Sequence, residues 1–208
     1  MPTLYVILDA GLMTGSTEEK AKQLIEAGVR MLQYRSKRGG ARETLEISRK
    51  LAAIATGSGA TFFVNDRPDI AYLAGASGVH VGQTDLSAED ARAVIGREKW
   101  IGVSAHNETQ FRAAIETSAD YVAVGPVFAT SSKENPDPVI GTEFIRRVRG
   151  LTTKPIVAIG GITLERAAEV IEAGADSVGV ISGIVKAEYP GARARQFLEA
   201  LKTARNTQ

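Results

Sequence analysis

The stretch AEVIEAGADSVGVIS (residues 168–182) runs through three events in order. Amphipathic helical spacing gives way to a small-residue turn, and an apolar β-rich run follows. The same order recurs in KQLIEAGVRMLQYR (22–35) and AAIETSADYVAVGPV (113–127). Glycine just past a helix supplies the left-handed cap conformation, which accounts for Gly28 and Gly174. Working outward, β-rich runs stand at LYVIL (4–8), MLQYR (31–35), TFFVN (61–65), GVHV (78–81), WIGVS (100–104), YVAVGPV (121–127), PIVAIGG (155–161) and SVGVIS (177–182). Helical spacing, as in EEKAKQLIEAG (18–28) and LERAAEVIEAG (164–174), lies between them. The helix after GVHV is expected to be short. Val/Ile runs with little alternation predict strands buried on both faces, as in a parallel sheet. Strand–helix alternation predicts βαβ units. Repetition of the unit around eight strand candidates predicts an α/β fold, a closed (β/α)8 TIM barrel, with residues 1–208 forming a single domain. An open doubly wound sheet would carry a Gly-x-Gly-x-x-Gly turn after its first strand. LDAGLMTG (8–15) stands there instead.

The 208 residues are 44% hydrophobic and 24% charged, the balance of a folded globular chain. A net charge of +1 offers no concentrated basic surface. No nucleic acid and no membrane partner is therefore expected. With no cysteine there are no disulfides, thiolate nucleophiles or zinc–thiolate sites. MPTLYVILDAGL has no basic stretch before its short apolar run, and no apolar stretch approaches a membrane span. A cytoplasmic protein is expected, with small-molecule substrates as its partners.

A barrel of this kind carries its active site at the C-terminal ends of the strands. The second strand ends on Gln33-Tyr34-Arg35-Ser36-Lys37, the third on Asn65-Asp66-Arg67, the fourth on Gln83-Thr84-Asp85 and the fifth on Ser104-Ala105-His106. The sixth leads to Thr130-Ser131-Ser132-Lys133, the seventh ends on Gly160-Gly161 and the eighth on Ile181-Ser182-Gly183. Arg35, Lys37 and Lys133 on one barrel face would suit a phosphate or pyrophosphate, because guanidinium forks and ammonium groups both match phosphate oxygens. Asp66 and Asp85, one βα unit apart, could hold Mg²⁺, which takes one or two carboxylates plus substrate phosphate oxygens. They could equally be caps, Asp66 for the helix near Pro68 and Asp85 within the TDLSAED turn. Asp69 reads as a first-turn residue beside Pro68. AIGGI and VISGI at the last two strands would suit a second, amide-lined phosphate site, or only tight turns. Two anionic sites without a nicotinamide or flavin signature suggest joining a pyrophosphorylated substrate to a phosphorylated one. His106 reads more simply as a helix-start residue beside Asn107 than as a catalytic group.

The motifs QYRSK, VNDRPDIA, GVHVGQTD, IGVSAHNETQ, DYVAVGPVFATSSK, PIVAIGGI and GADSVGVISGI follow one another as in thiamine-phosphate synthases, and the chain resembles that family over nearly its whole length. The resemblance implies a transferase. It would join 4-amino-2-methyl-5-hydroxymethylpyrimidine pyrophosphate to a thiazole phosphate, with Mg²⁺ as cofactor, releasing pyrophosphate in a dissociative displacement. It assigns Gln33, Tyr34, Arg35, Ser36, Lys37, Asn65, Ser104 and Lys133 to the pyrimidine pyrophosphate, with Arg35, Lys37, Ser104 and Lys133 as the catalytic set. It assigns Asp66 and Asp85 to the metal. Thr130, Ser131, Ser132, Gly161, Ile181 and Ser182 would hold the thiazole phosphate. Tyr34 stands where the family often has an aliphatic residue, and Ser132 where threonine is usual. The alternatives are a thiazole tautomerase of the same superfamily or a non-catalytic thiamine-phosphate-binding barrel. Tautomerases carry a histidine near the end of strand six and depart from Asn-Asp-Arg. This chain has Gly125-Pro126-Val127 there and keeps Asn65-Asp66-Arg67. The Gly/Pro/Asn content of SKENPDPVIG (132–141) would suit a mobile loop, and leaves open whether it closes as a lid.

Overall fold

In the computed structural model, which describes residues 1–130 and 137–206, eight parallel strands close into a barrel in sequence order. They are β1 (Leu4–Asp9), β2 (Met31–Arg35), β3 (Thr61–Asn65), β4 (Gly78–Val81), β5 (Trp100–Ala105), β6 (Tyr121–Val124), β7 (Ile156–Ile159) and β8 (Ser177–Val180). Pairing of β1 with β8 completes the ring. The helices are α1 (Thr17–Glu26), α2 (Ala41–Ser58), α3 (Pro68–Ala74), α4 (Ala88–Ile95), α5 (Glu108–Ile115), α6 (Gly141–Arg149), α7 (Leu164–Glu172), the one-turn α8 (Ser182–Val185) and α9 (Pro190–Asn206). α9 packs against α7 and α1. The expected (β/α)8 barrel is therefore the fold. α3 is shorter than the helix that follows GVHV.

Strand ends differ from the sequence runs where the backbone cannot continue the ladder. The YVAVGPV run stops at Val124, because Pro126 has no N–H to donate. PIVAIGG stops at Ile159, where Gly160 and Gly161 both take positive φ. In the other direction, β1 runs one residue past LYVIL and ends on Asp9. Gly28 and Gly174 have φ of 104° and 107°, and their backbone N–H groups close the last turns of α1 and α7 onto Ile25 and Ile171.

Side chains alternate across the barrel wall. Leu4, Val6, Leu8, Leu32, Val64, Val79, Ile101, Val122 and Val178 pack outward against the helices in one large apolar cluster. Tyr5, Met31, Phe63, Tyr121, Ala123 and Val157 form a separate cluster inside the barrel. The N-terminal rim is closed by repeated polar clamps in the turns before even-numbered strands. Asp120 accepts from the Ile101 amide and from Arg92, both at 2.7 Å. Asp176 accepts from the Ile156 amide at 2.8 Å and from Arg149 at 2.7 Å. Ser77 plays the same part for the Phe62 amide at 3.0 Å. Charge-assisted bonds of this kind contribute about 1.5–3 kcal/mol each. Among the described residues, no helix is long and apolar enough to cross a membrane.

Candidate active site

The C-terminal rim opens into a cavity of about 340 Å³. Its polar lining comes from five different strand ends and includes Gln33, Arg35, Lys37, Asn65, Asp66, Asp85, Ser104, His106 and Thr130. A second hollow of about 200 Å³ lies beside it, formed by Gly160 to Thr163 after β7 and Gly179 to Gly183 around the end of β8. Thr130, Ile159, Gly160 and Ile181 line both, so the two spaces share a wall.

On the first side of the cavity, Arg35 is tied to Asp9, its register partner across the β1–β2 ladder. Asp9 is only 5% exposed and also accepts from the Gly11 amide at 2.9 Å. This pair fixes one face of the guanidinium and leaves the rest of the fork toward the cavity. Lys37 pairs with Asp66. Asp66 has φ 62°, the only positive φ among the described non-glycine residues. Strain of that kind is retained where the surroundings over-determine the position.

Asp66 and Asp85 face each other. Burial, and then hydrogen bonding and repulsion from Asp66, push the Asp85 carboxyl above the ordinary carboxylate range, against the pull of the Gly82 amide. Neither is a helix cap. α3 starts from Arg67 with no side-chain cap bond, and α4 is capped by Ser87, which accepts from the Asp90 amide at 3.1 Å. Asp69 sits in the first turn of α3 as expected and pairs with Arg67, which lowers its pKa. Among the described residues, no cluster of three or more carboxylate or imidazole groups could hold a metal. A cation between Asp66 and Asp85 would take its remaining ligands from water and substrate oxygens, the habit of Mg²⁺ rather than of a caged ion. Two opposed carboxylates, one short of a counter-charge, fit such an ion on chemical grounds.

The second hollow is lined by backbone as much as by side chains. Gly161 has φ 64°, and a Cβ there would lie 2.3 Å from the Ala129 carbonyl oxygen. Only glycine lets the β6 loop and the β7 end approach this closely.

The thiamine monophosphate synthase family model matches residues 4–184. The chain belongs to the thiamine monophosphate synthase family. It is 48% identical to a thiamine-phosphate synthase of Koribacter versatilis (strain Ellin345), over 97% of this chain and 96% of that one. It is 42% identical to another from Methanoregula boonei, over 97% and 94%. The solved structure of a thiamine phosphate pyrophosphorylase from Pyrococcus furiosus superposes with a TM-score of 0.88 at 32% identity, covering 97% of this chain and 96% of that one. As a member of the thiamine monophosphate synthase family, the chain is a transferase of thiamine biosynthesis.

Against that family assignment, the structure gathers Gln33, Arg35, Lys37, Asn65, Ser104, Asp66 and Asp85 around the larger cavity. It puts Gly161, Ile181, Ser182 and Thr130 around the smaller one. Tyr34 and Ser36 line neither space. Tyr34 points the other way on β2, into the outer apolar layer, and its hydroxyl bonds Ser36. Ser131, Ser132 and Lys133 lie outside the described residues, as does half of the 132–141 segment. His106 stands beside the α5 cap Asn107, with Nδ1 2.6 Å from the Gly125 carbonyl oxygen and Nε2 3.5 Å from Asp137. Two features escape a reading of strand-end motifs. Asp9 looks like the turn residue after LYVIL. His80, Tyr5 and Tyr121 look like ordinary strand residues, yet Tyr5 and His80 floor the cavity.

Proposed function

We propose that the two adjoining spaces bring a pyrimidine pyrophosphate and a thiazole phosphate together, so that the chain makes thiamine phosphate and releases pyrophosphate. The observation that carries this reading is the opposed pair Asp66–Asp85 beside Arg35 and Lys37, in a cavity that shares lining residues with a glycine-lined one. The pyrimidine pyrophosphate would lie in the larger space, with its ring toward Gln33 and Ser104 and its diphosphate toward Arg35, Lys37 and, beyond the described residues, Lys133. The thiazole phosphate group would lie against Gly161 and Ser182.

Asp66 and Asp85 would hold Mg²⁺. A bound Mg²⁺ supplies counter-charge to the diphosphate oxygens. Arg35 and Lys37 stabilise the charge that grows on pyrophosphate as the methylene C–O bond breaks and its electron pair leaves with oxygen. The aminopyrimidine spreads the positive charge left on the methylene carbon. The thiazole nitrogen then donates its lone pair to that carbon, and the C–N bond forms. That nitrogen has no proton to lose, so no general base is needed. Holding both partners across one shared wall supplies the orientation term.

The test is pyrophosphate release by the purified chain given both substrates, with Mg²⁺ and then with excess chelator. Release that requires both substrates and metal supports the reading. A folded chain that releases none, or that releases it equally in chelator, refutes it.

A further inference from the structure

A chain of buried hydrogen bonds runs beneath the larger cavity and joins its two sides. Gln33 Nε2 donates to Tyr5 Oη at 2.7 Å. Tyr5 Oη lies 3.2 Å from Tyr121 Oη. Tyr121 Oη lies 3.0 Å from His80 Nδ1, and His80 Nε2 lies 2.9 Å from Ser104 Oγ. Gln33 is 2% exposed and His80 8%, and both phenols are sealed from solvent. Burial pushes both phenols above their ordinary pKa, so each keeps its single proton. The arrangement is built for: a Cβ on Gly102 would fall 2.0 Å from the Tyr121 ring and 2.5 Å from His80 Nδ1. His80 also stacks on Tyr121, with ring centroids 5.6 Å apart.

Donor and acceptor roles along this chain are not independent. With Gln33 Nε2 turned toward it, Tyr5 Oη accepts the amide hydrogen bond, so its own O–H must donate to Tyr121. Any other choice strands a buried O–H, which is costly. Tyr121 then donates to His80 Nδ1. His80 must carry its proton on Nε2 and donate to Ser104. Ser104 accepts that bond, and its own proton is free for the cavity. At the other end, the Gln33 carbonyl oxygen is free as an acceptor.

We infer that Tyr5, Tyr121 and His80 are positioning residues that lock the two sides of the cavity into opposite polarity, Gln33 as acceptor and Ser104 as donor. The chain therefore selects a ring that offers an N–H donor on one edge and a lone-pair nitrogen on the other. An aminopyrimidine does so; its oxo counterpart puts a carbonyl where the amino N–H would meet the Gln33 carbonyl oxygen, so acceptor faces acceptor. The substrate half of this inference rests on the synthase reading above, whereas the direction of the chain does not.

The direction can be read directly, because the protein has two histidines. Long-range ¹H–¹⁵N spectra of the uniformly labelled full chain at neutral pH distinguish the tautomers. His80 is expected as the neutral Nε2–H form and His106, which faces a carbonyl oxygen through Nδ1, as the Nδ1–H form. A His80 protonated on Nδ1, or on both nitrogens, overturns the proposal whether or not the protein is active. The selection is tested with Tyr5→Phe and Tyr121→Phe, which keep the rings and remove one link each. Each is expected to raise KM for the pyrimidine substrate by about tenfold, with KM for the thiazole phosphate unchanged. Each should also narrow the preference for the amino over the 4-oxo compound. Equal effects on both KM values, or an undiminished preference, overturn the coupling. Absence of synthase activity in the wild-type chain defeats the functional reading instead, and the His80 tautomer still decides the direction.

Discussion

At the N-terminal rim Asp120 and Asp176 each hold an arginine and an amide at the start of a neighbouring strand, whereas at the C-terminal rim Asp66 and Asp85 face each other and Lys37 pairs with Asp66. The residue type is the same and the strand-end position is similar. What differs is how much of the counter-charge the fold provides: two opposed carboxylates share Lys37. At the N-terminal rim the protein satisfies its own carboxylates, and they serve stability. At the other end it withholds part of that satisfaction, brings two carboxylates together in a half-buried setting, and leaves their completion to a ligand. This is the division between a stability face and a working face that an α/β barrel allows.

The largest expected effect separates the two ends by activity. Asp66→Asn and Asp85→Asn should each lower metal-dependent pyrophosphate release by about a thousandfold, roughly 4 kcal/mol of transition-state stabilisation. Asparagine keeps the shape and tolerates the positive φ at position 66, so melting should show no loss of fold. A wild-type rate in either variant would remove that carboxylate from the working set.

Next comes the mirror-image experiment at the N-terminal rim. Asp176→Ala and Asp120→Ala should each cost about 2 kcal/mol in urea unfolding, since a strand amide and an arginine lose a charged partner. Turnover per folded molecule should stay within about twofold of wild type. A large loss of turnover without a loss of stability would break the division.

Asp9 crosses the division, because it lies at the working end yet is paired like the other rim. Asp9→Asn should raise KM for the pyrophosphate substrate by about tenfold through a loosened Arg35, and cost about 1 kcal/mol in stability. Steady-state kinetics and denaturation on one preparation would show both, and an effect on stability alone would make Asp9 purely structural.

The smallest effect has the opposite sign. The folded chain holds the Asp85 proton more tightly than the unfolded chain does. Stability is therefore lost as pH rises through the raised pKa, and no penalty exists below the ordinary aspartate range. In chelator, Asp85→Asn should be the more stable protein at neutral pH, by less than about 1 kcal/mol because the site is partly solvated. That advantage should vanish near about pH 3. An equal melting temperature at neutral pH would mean that the opposed carboxylates cost nothing.

The barrel was legible because its repeated helix–glycine–strand unit has a physical reason at each step, and the strand runs match the ladder to within a few residues. Gln33, Arg35, Asp66 and Asp85 were legible because polar residues at the ends of apolar strands stand out. Tyr34 shows where that logic stops. In a parallel strand buried on both faces, Gln33 and Tyr34 both sit in an apolar run, and periodicity cannot say which points inward. Tyr5, His80 and Tyr121 were hidden for the same reason: they are separated by dozens of residues and become one polar chain only after the ring closes. Asp9 was missed because a carboxylate one residue past an apolar run has the local chemistry of a turn.

Thr130, Ile159, Gly160 and Ile181 face both spaces at once. Two ligands seated on either side of such a partition already stand at the effective concentration that a short tether would impose. A single compound spanning it would need little added linker and would lose its translational freedom once rather than twice. For inhibitor chemistry, this makes the partition between the hollows a better starting point than either hollow alone.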